Sequence, residues 1–141
     1  MDTKEKTSVT VKTTVNAPIE KVWEAWTKPE HITKWNQASD DWYCPRATND
    51  IRTGGRFSYT MSARDGSTSF DFGGVYTNVE KNKVIESKLE DGRTTHVQFN
   101  SDGNKTNIVE TFEAETENSV ELQRNGWQAI LDNFKKHAES L

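Results

Sequence analysis

Glu110 is the residue of this sequence with the most chemistry open to it. It stands between Ile108 and Phe112 on one row of an alternating strand, so it faces inward if those two do. A carboxyl group held in an apolar interior has a raised pKa and can serve as an acid, a base or a ligand anchor. The other readings are an ion pair with Arg52 or Arg124, or a register that turns Glu110 to solvent. Tyr59 and Tyr76 are candidates of a similar kind, phenols that could orient a polar group of a bound molecule.

The remaining reactive residues point to no reaction. His31, His96 and His137 fall on three different elements, and none has a helical His-x-x-x-His partner, so they read as separate, solvated side chains. Cys44 is the single cysteine, which excludes an intrachain disulfide, and nothing beside it in sequence would activate it as a nucleophile. Gly54-Gly55 follows Arg52 but precedes a strand, which makes it a turn rather than a phosphate cradle. There is no Gly-x-Ser-x-Gly elbow, phosphate loop or dinucleotide fingerprint. No catalytic residue, metal or cofactor is therefore expected, and binding is expected rather than catalysis.

Composition narrows the partners. The 141 residues fit one domain. With 22 acidic against 18 basic residues, the net charge is −4, and the basic residues are dispersed. A nucleic-acid interface or an anionic membrane would ask for a basic cluster. No apolar run approaches the roughly 18–20 residues of a membrane span. The polar start shows no secretory pattern, so no membrane insertion and a cytoplasmic location are expected. Hydrophobic residues make up only 32%, but five are tryptophans. A buried ring removes about 150–250 Å² from water, so a core or cavity wall built of rings is expected.

Several elements must position these groups. Residues 1–7 read as a frayed tail and 8–141 as the domain. Residues 8–16 alternate, with Val9, Val11 and Val15 on one face, as in a half-buried strand. Pro18 opens a helix whose face carries Ile19, Val22, Trp23 and Trp26, and Pro29 opens a second with Ile32 and Trp35. Residues 37–50 read as a loop in which Trp42 and Tyr43 fold back or form a lid. From there to about residue 115 the chain reads as antiparallel strands. Phe57, Tyr59 and Met61 form one row and Phe70 and Phe72 the next, with Tyr76 extending it. Ile85 and Leu89, then Val97 and Phe99, then Ile108 and Phe112 follow. Asp65-Gly66, Lys81-Asn82-Lys83, Asp91-Gly92 and Asp102-Gly103 mark the turns, and Gly73-Gly74 marks a bulge or bend. Asn118-Ser119-Val120-Glu121 reads as a capping box. Behind it, Val120, Trp127, Ile130, Leu131, Phe134 and Ala138 share one face of a helix of about 20 residues, with Gln123 and Asn125 on the outer face. The order is β–α–α–β(six)–α.

A long antiparallel sheet twists and curls, and one helix laid across its concave face leaves space. That space is either plugged by rings into a solid core or kept as an apolar pocket of at least ~300 Å³. The candidate lining is Trp26, Trp35, Phe57, Tyr59, Met61, Phe70, Phe72, Tyr76, Phe99, Glu110, Phe112, Trp127, Leu131 and Phe134.

Motifs spread over residues 8–140 carry a family resemblance. They are Ala17-Pro18-Ile19-Glu20-Lys21-Val22-Trp23-Glu24-Ala25-Trp26-Thr27 with Pro29-Glu30 and Trp35, then Asp50-Ile51-Arg52-Thr53-Gly54-Gly55-Arg56-Phe57 with Tyr59 and Met61, then Gly74-Val75-Tyr76, Val109-Glu110-Thr111-Phe112 and Gly126-Trp127 with Leu131 and Phe134. The chain resembles the SRPBCC (START/Bet v-like) superfamily and, within it, proteins named after the activator of the heat-shock chaperone ATPase. The resemblance implies an α+β helix-grip fold: a curved antiparallel sheet of about seven strands around a long C-terminal helix, with two short helices after the first strand. It also implies a cavity that carries lipids, hormones or polyketide intermediates in the wider superfamily, where a minority are cyclases or other enzymes. The eukaryotic activator adds a separate N-terminal domain, for which these residues leave no room, so a chaperone role is not expected to carry over. The expected partner is one small hydrophobic or aromatic molecule. The alternatives are a cavity enzyme of the polyketide cyclase kind, and an interaction module that binds a chaperone or forms a homodimer through the outer sheet face.

Overall fold

The computed structural model describes residues 7–141. The expected frayed tail lies, except for Thr7, outside the described residues. The chain runs β1 (Ser8–Val15), α1 (Ile19–Thr27), α2 (Pro29–Trp35), β2 (Trp42–Asn49), β3 (Arg56–Ala63), β4 (Ser69–Glu80), β5 (Val84–Leu89), β6 (Thr94–Asp102), β7 (Lys105–Glu113) and α3 (Val120–Glu139). The strands form one antiparallel sheet in the order β1-β7-β6-β5-β4-β3-β2. Consecutive strands from β2 to β7 are thus neighbours, and β1 adds to the β7 edge. This is the curled α+β sheet with a C-terminal helix and two short helices that the alternation and the resemblance imply.

The turns follow residue chemistry. Gly66, Gly92 and Gly103 all have positive φ, and Asn82 adopts φ 66° in the fourth turn, as asparagine tolerates better than most side chains. In β4, Gly74 lies on the inward row between Phe72 and Tyr76, so no side chain stands there. A Cβ at Gly74 would run into the Lys88 carbonyl oxygen, so the neighbouring strand closes over the position. The Gly73-Gly74 pair is not itself a bulge: the β4–β5 register shifts between Tyr76 and Asn78 instead.

Three sequence readings are corrected. Residues 42–49, read as loop, are the edge strand β2, the first of the six meander strands. Pro45 and a register shift between Tyr43 and Arg46 break its alternation, a pattern that edge strands tolerate. Trp42 is therefore no lid: it packs on Phe70 across the sheet, ring centroids 5.7 Å apart. The α3 N-cap is Ser119, not Asn118, and the Ser119 hydroxyl accepts from the Leu122 N–H at 3.1 Å. Gln123, placed on the outer face, is buried. Its Oε1 accepts from the Glu115 N–H at 2.8 Å, and its Nε2 donates to the Glu115 and Asn118 carbonyls. An amide reads as polar in a helical pattern, yet here it closes the backbone polar groups of the segment leading into α3.

α3 crosses the sheet unevenly. Its backbone lies closest to β1 and to the two short helices. Lys135 Nζ donates to the Thr14 carbonyl at 2.7 Å, and Glu139 accepts from the Asn16 N–H at 2.8 Å. The core under this half contains Val11, Val15, Val22, Ile108, Leu131, Phe134 and Ala138. Toward β3, β4 and β5 the helix stands off, and side chains must bridge the gap.

Candidate functional site

A pocket of about 240 Å³ occupies that gap. The sheet supplies Phe57, Tyr59 and Met61 from β3, Phe70, Phe72 and Tyr76 from β4, and Glu110 from β7. The helices supply Trp26, Trp35, Trp127 and Leu131. Eleven of the fourteen candidate lining residues thus come together. The volume falls below the ~300 Å³ expected from the sequence, and the pocket is not sealed. Phe70 is 52% exposed and marks where the pocket meets solvent, whereas Trp35 is buried and forms wall.

Phe99, Phe112 and Phe134 do not line it. Each points inward as alternation or helical spacing requires, but each is covered by another ring. Trp127 stacks on Phe112 at 3.9 Å between centroids and 9° between planes. Trp26 lies edge-on to Phe134 at 4.8 Å and to Phe99 at 5.5 Å, and Trp35 meets Phe134 at 5.0 Å. Periodicity gives the face of an element; it does not say which of two rings stands in front. The Trp35 indole N–H is satisfied by the Ala25 carbonyl at 2.9 Å, which fixes α2 against α1.

The sequence reading missed Ile85, Ser87 and Leu89 of β5, Thr95 and Val97 of β6, Ile130 of α3 and Asn36. The rows of Ile85–Leu89 and Val97 were visible, and so was the helical face with Ile130. An aliphatic row reads the same whether it lines a pocket or fills a solid core. Ser87 and Thr95 share a hydrogen bond at 2.5 Å, so two small polar residues on the inward face of paired strands satisfy each other. No sequence signal pointed to Asn36.

The polar groups of the pocket are few. Glu110 lies in register with Val11 of β1 and Val97 of β6, both buried, which settles its inward orientation. Arg52, a possible partner, is held by Asp50 at 2.9 Å. Among the described residues Glu110 makes no hydrogen bond or ion pair, and burial alone pushes its pKa up to about 8. The Tyr76 hydroxyl donates to Asn49 Oδ1 and meets Tyr59 Oη at 3.5 Å. Burial raises Tyr76 to about 12. Tyr59 also rises well above the usual phenol range, through burial first and then through Tyr76, Cys44 and Glu110. Both phenols stay protonated at neutral pH. The site is therefore an apolar, ring-walled pocket with one neutral acid and two phenols.

Outside the pocket, the histidine reading is corrected. His31 Nδ1 and His137 Nε2 lie 2.8 Å apart, joining α2 to α3 across 106 residues of sequence. Cys44 is buried, and its thiol donates to the Arg46 carbonyl at 3.4 Å. Burial raises its pKa, which opposes thiolate chemistry. Among the described residues no group of three or more His, Cys, Asp or Glu is placed to hold a metal ion, and no helix is long and apolar enough to cross a membrane.

Comparison with known proteins agrees with this architecture. The chain aligns over 94% of its length, and 92% of the other, with a solved protein of Cytophaga hutchinsonii at 53% identity and TM-score 0.82. An AHSA1-like protein of Aeromonas hydrophila is 42% identical over 95% of this chain and 93% of its own, with TM-score 0.89. The fold extends to protein CV1439 of Chromobacterium violaceum, 20% identical over 94% of this chain and 98% of that one, with TM-score 0.84. No curated protein matches. The profile of the family described as Activator of Hsp90 ATPase homolog 1-like protein matches residues 16–139, and the chain belongs to that family.

Proposed function

We propose that this protein binds one small hydrophobic or aromatic molecule in the pocket between α3 and the concave sheet, in the cytoplasm and without catalysing its conversion. The observation that carries this reading is the pocket itself: about 240 Å³ walled by tryptophan, phenylalanine and aliphatic side chains, with a few polar groups set among them. Natural ligand sites have this make-up, mostly apolar with a small number of placed polar groups. Binding would remove apolar surface of ligand and wall from water, gaining roughly 25 cal/mol for each Å². The modest volume favours a compact molecule over a steroid or a long acyl chain. Phe70, half exposed, stands at the opening.

Thermal unfolding in the presence of hydrophobic metabolites tests the reading. A ligand at 100 times its dissociation constant adds about 2.7 kcal/mol to stability, a midpoint rise of several degrees for a domain of this size. A rise confined to one class of small apolar compounds is the expected result. A midpoint unmoved by fatty acids, sterols, flavonoids and small aromatic compounds alike would remove the reading.

A further inference from the structure

The pocket holds one acid and no base. No lysine, arginine or histidine stands among its lining residues, and the Glu110 carboxyl has no partner there. The same space is faced by the indoles of Trp26, Trp35 and Trp127 and the phenols of Tyr59 and Tyr76. We propose that the ligand is an organic amine, with an apolar body filling the pocket and one ammonium group that donates to the Glu110 carboxylate and lies against the indole and phenol rings. This rests on the binding reading above and specifies the chemical class of the ligand.

Each ligand class meets this wall differently. A carboxylate ligand would bring a second acid to a site without a cation, where like charges cannot both ionise. A neutral alcohol or ketone takes one hydrogen bond from Glu110 and nothing electrostatic from the rings. An ammonium ion uses both features: it supplies the missing counter-charge, and ring faces attract cations. Burial without a counter-charge keeps Glu110 mostly protonated at neutral pH, because an unpaired buried carboxylate is strongly disfavoured.

The proton balance follows. An alkylammonium ion enters, Glu110 gives its carboxyl proton to solvent, and an ion pair forms, so one proton is released for each ligand bound. Affinity therefore rises by close to tenfold per pH unit while pH stays well below the Glu110 pKa. The other titratable groups facing the acid are Tyr59 of β3 and Tyr76 of β4, which stay protonated throughout this range. Its strand neighbours Val11 and Val97, and Trp127, Ile130 and Leu131 of α3, carry no titratable group.

Calorimetric titration with three matched probes tests this: 2-(1-naphthyl)ethylamine, 2-(1-naphthyl)ethanol and 1-naphthylacetate. At pH 7.5 the amine should bind at least about tenfold more tightly than the alcohol, and the acetate more weakly than either. Buffers of different ionisation heat should show proton release for the amine alone. In Glu110→Gln the amine's advantage should vanish while the alcohol still binds. An alcohol that matches or beats the amine, or an amine preference that survives in Glu110→Gln, would overturn the proposal and leave the apolar-binding reading standing. If no probe binds, the proposal falls, and the metabolite panel above decides whether the broader reading falls with it.

Discussion

Glu110 carries the one carboxyl group among the residues that line the pocket. Strand alternation alone places it among apolar neighbours, and the structure puts it opposite Val11 and Val97 with its carboxyl on the pocket. Its folded-state pKa lies near 8, above the unfolded value near 4.5, so the folded protein holds a proton that the unfolded chain gives up between those values. The stability Glu110 allows is complete below about pH 4.5 and is lost as pH rises through 8. The full loss is on the order of 3 kcal/mol, less than the shift alone implies because water and ligand-site relaxation soften burial. Glu110→Gln cannot ionise. In urea unfolding it should gain on the native protein as pH rises from 5 to 8.5, and parallel pH profiles for the two would count against a buried acid. Other residues were less legible. Phe112 and Phe134 occupy inward rows just as Glu110 does, but the covering rings of Trp127, Trp26 and Trp35 come from other elements. Which ring lies in front is a fact of tertiary packing.

At the scale of elements, legibility follows periodicity and turn chemistry. β3 to β7 carry alternating patterns separated by glycine or asparagine at positive φ, α3 carries a long helical one, and all were visible. β2 was not, because Pro45 and its bulge remove the alternation and its edge position lets one side go unpaired. The junction of α2 and α3 was invisible for another reason: it depends on two histidines that only the fold brings together. His137 has a lowered pKa, through burial first, then the charges of His31 and Lys34. A depressed folded pKa means that the unfolded state binds the proton more readily. The contribution is present above the unfolded value near 6.5 and is lost as pH falls. Ring-proton NMR titration should give His137 a midpoint below that of a free histidine, and His137→Gln should flatten the fall in melting temperature between pH 7 and 5. A normal midpoint together with an unchanged acid limb would show that the pair is not coupled.

At the scale of the molecule, the pocket follows from an asymmetry. α3 is pinned to β1 by Lys135 and to Asn16 just beyond it by Glu139, and stands off the β3–β5 half of the sheet, where rings and aliphatic side chains line the space between. The architecture was legible in the order of patterns, but the volume was not, since it depends on a few ångströms of helix placement and on which rings overlap. The tryptophans themselves provide the most direct test. Trp26, Trp35 and Trp127 line the pocket, whereas Trp23 packs on Phe99 behind it and Trp42 sits on the sheet against Phe70. The measurement is the set of five indole N–H resonances during titration with 2-(1-naphthyl)ethanol. The pocket reading predicts saturable shifts at Trp26, Trp35 and Trp127 with Trp23 and Trp42 little changed. Five stationary signals, or shifts confined to Trp42, would contradict it.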